Sequence, residues 1–124
     1  MFKNLDVFRI ANAMAAHAQS RQAVLAQNIA NADTPGYRTR DIAPFASYFE
    51  TPNSSSIARA TRAKHLLDGI GNAQIDRSAE PSPNGNSVSL EEEMMKVTAN
   101  QMDYQAATSL YSKTMGLFRI AIGR

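Results

Sequence analysis

The stretch Leu90-Glu91-Glu92-Glu93-Met94-Met95-Lys96-Val97 and onward to Ile120-Ala121-Ile122 decides the architecture of this chain. Within it Leu90, Met94, Val97, Gln101, Tyr104, Thr108, Tyr111, Met115, Phe118 and Ile122 follow one another in alternating steps of four and three. That spacing is a heptad stripe held for more than four heptads without a proline, and it predicts one long coiled-coil-like helix. Ser89-Leu90-Glu91-Glu92 reads as a capping box, Glu91 to Glu93 place negative charge where the helix dipole favours it, and Gly123 is the expected stop. Such a helix is roughly 50 Å long, too long for the interior of a small globule, so it needs a partner along its length. The expected packing seam is Leu90, Met94, Val97, Tyr104, Tyr111, Met115, Phe118 and Ile122.

Working outward, residues 5–31 form a second helical stretch, with Asn4 as its expected cap and Asp6 in its first turn. One face carries Val7, Ile10, Ala11, Met14, Ala18, Val24 and Leu25, and another Leu5, Phe8, Ala15, Ala26 and Ile29. Eight of the twenty residues from Ala11 to Ala30 are alanine, which lets neighbouring helices come close from several sides. His17 is read as a helix-surface residue rather than a ligand or a pH switch, since His65 is the only other histidine. The helix should stop at Pro35, and Pro35-Gly36 fits the two central positions of a type II turn with Gly36 supplying positive φ. Asp33 and Thr34 can bond the turn backbone, and Tyr37 can lay its ring on the helix pair.

Residues 42–87 differ in character. Pro44, Pro52, Pro81, Pro83, the Asn53-Ser54-Ser55-Ser56 cluster, Gly69 and Gly71 break any periodicity. A stretch this long without regular structure is either disordered or ordered by neighbours. Ala60 to Leu67 is the one candidate for a short helix. The fold expected is therefore all-α: an antiparallel pair of N- and C-terminal helices, with 1–34 and 88–124 as the helical core and 35–87 as an irregular, partly disordered connection.

Composition narrows the function classes. The net charge of +2 implies no polyanion partner, but residues 1–66 carry eight Lys/Arg against four Asp/Glu while 67–124 carry five against seven, which favours head-to-tail contacts. No cysteine is present, which excludes disulfides and thiolate metal sites. There is no run of eighteen apolar residues and no basic segment leading into an apolar one, hence no spanning helix and no Sec-type signal is expected. Neither a nucleophile elbow, nor a phosphate loop, nor His-x-x-x-His spacing occurs, so no catalysis, cofactor or metal is expected. Arg59, Arg62 and Lys64 make a basic cluster without interleaved aromatics, too thin for a nucleic-acid arm.

Asn28-Ile29-Ala30-Asn31-Ala32-Asp33-Thr34-Pro35-Gly36-Tyr37 after a long amphipathic helix resembles the signature of the flagellar axial family of rod, hook and hook-associated proteins. Asn84-Gly85-Asn86-Ser87-Val88-Ser89-Leu90-Glu91-Glu92-Glu93, the following Met94 to Asn100, Tyr104-Gln105, and the closing Leu117-Phe118-Arg119-Ile120-Ala121-Ile122-Gly123 resemble its short proximal rod members. Those members often have Asp-Gly-Asn where this chain has Asn84-Gly85-Asn86, and Asn-Gly makes the same kind of tight turn. The resemblance covers roughly residues 1–45 and 84–124. It implies that Asn28, Asn31, Thr34, Pro35, Gly36 and Tyr37 form an assembly turn. It also implies a structural subunit that packs into a tubular drive shaft with copies of itself and other proximal rod proteins. The implied location is the periplasmic base of the flagellum, beside the membrane ring and the export gate. Phe45-Ala46-Ser47-Tyr48-Phe49 resembles the Phe-x-x-x-hydrophobe element by which early axial subunits are recognised at that gate, with Phe45 and Phe49 as the contacts. Export through the flagellar type III apparatus needs no cleaved signal. A small helical export chaperone is the alternative of a different class, one that would itself stay inside the cell.

Overall fold

In the computed structural model, residues 2–47 and 73–123 are described. The elements run α1 (Phe2–Ala30), β1 (Arg40–Asp41), β2 (Gln74–Ile75) and α2 (Leu90–Ile122). The short helix expected over Ala60–Leu67, the basic cluster of Arg59, Arg62 and Lys64, and Phe49 lie outside the described residues.

The two helices pack antiparallel. Phe8 near the start of α1 meets Tyr111 and Phe118 near the end of α2 edge-on, with ring centroids 5.2 and 6.5 Å apart. Asn100 bonds the carbonyl of Ala18 midway, and Asn28 bonds Glu93 at the other end. Ala11, Ala18 and Leu25 are buried on α1, spaced by sevens, against a buried row of Glu93, Asn100, Ala107 and Thr114 on α2, also spaced by sevens. Alanine, threonine and asparagine at the contact allow a close approach; the Asn100 amide reaches a main-chain carbonyl of the opposing helix at 2.8 Å. Along their middle the helices therefore meet through small and polar side chains, while at the start of α1 Phe8 packs on Tyr111 and Phe118 of the α2 stripe.

Helix termini follow the sequence in part. Gly123 takes the left-handed conformation (φ 78°) and its N–H bonds the carbonyls of Arg119 and Ile120, closing α2 where expected. At the other end Ser89 sits in extended conformation with no side-chain capping bond, so the capping box does not form; its hydroxyl faces the Glu91 carboxylate at 3.4 Å. The main chain alone starts the helix, through the Glu93 N–H on the Ser89 carbonyl at 3.0 Å. α1 begins at Phe2, which places Asn4 inside the helix rather than at its cap.

A two-residue antiparallel ladder joins the connection to itself, with Arg40 opposite Ile75 and Asp41 opposite Gln74. The described flanks of the connection are tied to the helix pair. The Asp76 N–H bonds the Thr39 carbonyl at 2.9 Å, and the Ser87 N–H bonds the Tyr37 carbonyl at 2.9 Å. The Thr39 N–H bonds the Ser87 hydroxyl at 2.9 Å. Thr39 and Ile42 are both buried. No described helix is long and apolar enough to cross a membrane.

Candidate functional site

Where the two helices meet the connection, the chain builds a polar clamp around the turn that ends α1. Thr34-Pro35-Gly36-Tyr37 is a hydrogen-bonded turn, with the Tyr37 N–H on the Thr34 carbonyl at 3.2 Å and Gly36 at φ 74°. Proline fixes φ at the second position, and the third requires the positive φ that glycine takes at little cost. Asn31 and Thr34 brace the turn from the helix side. The Asn31 amide donates to the Gln27 carbonyl at 2.8 Å, and the Thr34 hydroxyl donates to Asn31 Oδ1 at 3.1 Å.

Asn28 is the centre of the clamp and is fully buried. Its amide Nδ2 donates to the Arg40 carbonyl (2.6 Å) and to Glu93 Oε2 (2.9 Å), while its Oδ1 accepts the Arg40 N–H (3.1 Å) and the Tyr37 hydroxyl (3.1 Å). An asparagine amide offers two donors and two acceptor positions, so this one is saturated. It pairs with both main-chain groups of Arg40 as a neighbouring strand would, and it joins α1, the turn, β1 and α2 through one side chain.

A second asparagine clamps the turn from the other side. The Asn86 amide points into the frayed end of α1 and donates to the carbonyls of Asn31 (3.0 Å), Ala32 (2.8 Å) and Thr34 (2.8 Å). The Asn31 and Thr34 carbonyls also accept the Thr34 and Tyr37 N–H groups, at 3.1 and 3.2 Å, and all three lie past the last residue of α1. Its own Oδ1 accepts the Val88 N–H at 2.8 Å, which shapes the entry to α2. Gly85 (φ 82°) precedes it, and a Cβ there would sit 3.3 Å from the Gly36 Cα, so the two turns abut glycine on glycine. The Gly36 N–H also bonds the Asn84 carbonyl at 3.0 Å.

Charges complete the cluster. Arg21 holds Asp41 with two bonds, at 2.9 and 3.0 Å, and this hydrogen bond raises the guanidinium pKa above its ordinary value against the pull of burial. Lys96 lies 3.3 Å from Glu93, 3.9 Å from Asp41 and 3.8 Å from Asp76, so that it meets carboxylates of α2, of β1 and of the residue after β2. The Ser78 hydroxyl and then its backbone N–H lower the Asp76 pKa from the usual carboxylate range, with Lys96 adding in the same direction. Glu93, 1% exposed, is thus a structural member of the clamp as well as one of the three acidic residues in the first turn of α2. Among the described residues, no group of histidine and acidic side chains is arranged to hold a metal ion.

The stripe read from the sequence lies elsewhere on α2. Val97 and Phe118 are half-buried, and Tyr111 touches Phe8 while remaining exposed. Leu90, Met94, Tyr104, Met115 and Ile122 are exposed. Met95 (73% exposed), Met102, Leu117 and Ile120 (75%) add to this outward apolar surface. Pairing with α1 thus leaves most of the apolar surface of α2 uncovered. Phe45 packs edge-on against His17 (5.7 Å), and the His17 Nε2–H donates to the Ala43 carbonyl at 2.7 Å. His17 is consequently buried beneath the segment after β1, not displayed on a helix surface. Arg21, Asp41, Asn86, Glu93 and Lys96 were not evident as partners in the sequence. The seven-residue spacing of Ala11, Ala18 and Leu25, and of Glu93, Asn100, Ala107 and Thr114, was its available trace.

Comparison with known proteins falls on this region. The family model described as "Flagella basal body rod protein" matches residues 10–38, the greater part of α1 and the whole turn. The chain is similar to the flagellar basal body rod protein FlgB of Cereibacter sphaeroides, 32% identical over 108 residues that span 84% of each chain. It is likewise similar to FlgB of Agrobacterium fabrum strain C58, 31% identical over 86% of this chain and 84% of that one. FlgB of Escherichia coli strain K12 is 36% identical over 74% of this chain and 75% of its own. With relatives matched at this level across both helices and the clamp between them, the chain belongs to the FlgB family of flagellar basal body rod proteins.

Proposed function

We propose that this chain is a structural subunit of the proximal rod, which packs with copies of itself and with other rod proteins into the tubular drive shaft at the base of the flagellum. The observation that carries the reading is the apolar surface that α2 keeps outward after pairing with α1: Leu90, Met94, Met95, Met102, Met115, Leu117, Ile120 and Ile122. Large apolar side chains left exposed in this number on one helix mark a protein interaction surface. The small-residue contact with α1 holds the hairpin together, and the large side chains remain for neighbours. On this reading the eight-residue stripe is the seam between subunits, with Tyr111 and Phe118 shared between the inner and outer contacts. The clamp at Asn28 and Asn86 sets the direction in which the connection leaves the helix pair. That gives the turn residues Asn28, Asn31, Thr34, Pro35, Gly36 and Tyr37 their assembly role.

Delivery follows from the same reading. The subunit travels through the flagellar type III apparatus as an unfolded chain, with Phe45 and Phe49 offered to the export gate, and it folds in the periplasm. Phe45 is engaged with His17 in the folded hairpin, so it is most available before folding. The experiment expresses Met94→Asp with Met115→Asp, and separately Phe45→Ala with Phe49→Ala, in a strain lacking the native subunit. The methionine pair should be secreted but absent from purified basal bodies, and the phenylalanine pair should stay in the cytoplasm. A wild-type chain that remains cytoplasmic in a stable complex with one client would overturn the reading in favour of an export chaperone.

A further inference from the structure

Of the nine asparagines in this chain, only Asn84 is followed by glycine. The backbone nitrogen after an asparagine can attack the side-chain Cγ, and glycine, lacking Cβ, obstructs that approach least. We propose that Asn84 is a modification site: it converts spontaneously to aspartate and isoaspartate while the chain is unfolded, and the closed turn shields it. In the step, the Gly85 nitrogen gives up its proton to solvent base and bonds to Asn84 Cγ. Nδ2 takes up a proton from solvent, the Cγ–Nδ2 bond breaks and ammonia leaves, giving a cyclic succinimide. Water then opens that ring at one carbonyl or the other, and residue 84 ends as aspartate or as isoaspartate. The co-reactant is water, and no electrons are exchanged with another molecule.

In the folded chain the Gly85 N–H that the attack must give up is engaged, and the Asn84 side chain is held in one orientation. The Gly85 N–H is donated to the Ser82 carbonyl at 2.8 Å, and Asn84 Oδ1 accepts the Asn86 N–H at 3.1 Å. Local opening of this turn must precede reaction. The product matters because of where it falls. Isoaspartate routes the main chain through Cβ and adds one carbon to it. The Asn84 carbonyl that accepts the Gly36 N–H is then displaced, and Gly85 is moved from its place against Gly36, where there is little room for a side chain. The Asn86 amide, two residues on, loses its aim at the end of α1. A chain aged in the unfolded state therefore fails to close the clamp. The proposal stands independently of the rod assignment.

The test holds the full-length protein at mildly alkaline pH in native buffer and in concentrated urea, and follows the peptide containing Asn84 by mass spectrometry, separating aspartate from isoaspartate. Modification at Asn84 should run at least about tenfold faster in urea. It should outpace every other asparagine there, and Gly85→Ala in urea should slow it. On removal of urea, chains with isoaspartate at 84 should remain in the unfolded fraction, while an Asn84→Asp variant, which gains the charge without the longer backbone, refolds. Equal rates in buffer and urea would overturn the shielding. Modification spread evenly over the asparagines would overturn the site, and refolding of the isoaspartate chain would overturn the consequence.

Discussion

Replacing Asn28 with alanine removes four hydrogen bonds at one buried point. The Arg40 N–H and carbonyl lose their partner, the Tyr37 hydroxyl loses its acceptor, and Glu93 keeps only Lys96, at 3.3 Å. Tyr37 is half-buried and can turn its hydroxyl toward water, so its loss is small. A buried group left without its partner costs about 1–3 kcal/mol, and more when it is charged. With the Arg40 main chain and Glu93 as the principal losers, the sum is about 2–6 kcal/mol, set against a typical total stability of about 5–15 kcal/mol. Asn28→Asp keeps the shape but removes both donors and brings a second carboxylate against Glu93, where the amide now stands 2.9 Å away. Like charges that close repel, so this variant should lose at least as much stability as Asn28→Ala. Urea unfolding followed by far-ultraviolet circular dichroism reads both effects, with exposed Gln27→Ala as a control expected within about 0.5 kcal/mol of the parent. An Asn28→Ala loss below about 1 kcal/mol would show that the clamp does not hold the turn to the helix pair.

The two abutting glycines should separate strain from collision. Gly36→Ala meets open space and pays only for its positive φ, about 1 kcal/mol, whereas Gly85→Ala adds the 3.3 Å approach to the Gly36 Cα and should lower the unfolding midpoint further. Tyr111→Ala, which removes an edge contact with Phe8, should destabilise the monomer by about 1 kcal/mol; Met94→Asp, exposed in the hairpin, should leave its melting unchanged. The depressed Asp76 pKa contributes stability that is present above the ordinary aspartate value of about 3.9 and is lost as pH falls through the lower folded value. Below about pH 4 the wild-type chain should therefore lose stability slightly more steeply than Asp76→Asn, by under about 1 kcal/mol given the partial exposure of the group.

Much of the scaffold was legible because its signals are local. The span of α2, its stop at Gly123 and the Pro35-Gly36 turn each follow from residues adjacent in the chain. What could not be read depends on which surfaces meet. A heptad stripe reports where apolar side chains lie, not which face the nearest helix takes. Here α1 is rich in alanine and takes the row of Glu93, Asn100, Ala107 and Thr114, where close approach is possible. The turn signature points to Asn28, but its four hydrogen bonds include one to a residue 65 positions away, which no spacing rule links to it. The β1–β2 ladder has two residues a side and no periodicity to find. Glu93 stood in a run that the helix dipole explained well enough, and only the fold separates it from the exposed Glu91 and Glu92. His17 was misplaced for the same reason, because the segment that buries it lies 26 residues further along.

The central claim is that α2 turns its stripe outward to neighbouring subunits while small residues pair it with α1. Its most direct test is a density map of the assembled basal body in which this chain is traced. The account predicts the chain in the proximal rod, with Met94, Met115 and Ile122 covered by helices of adjacent subunits and the Asn28–Glu93 contact intact within each copy. A rod in which those three side chains face solvent or the central channel, or a basal body from which the chain is absent, would contradict it.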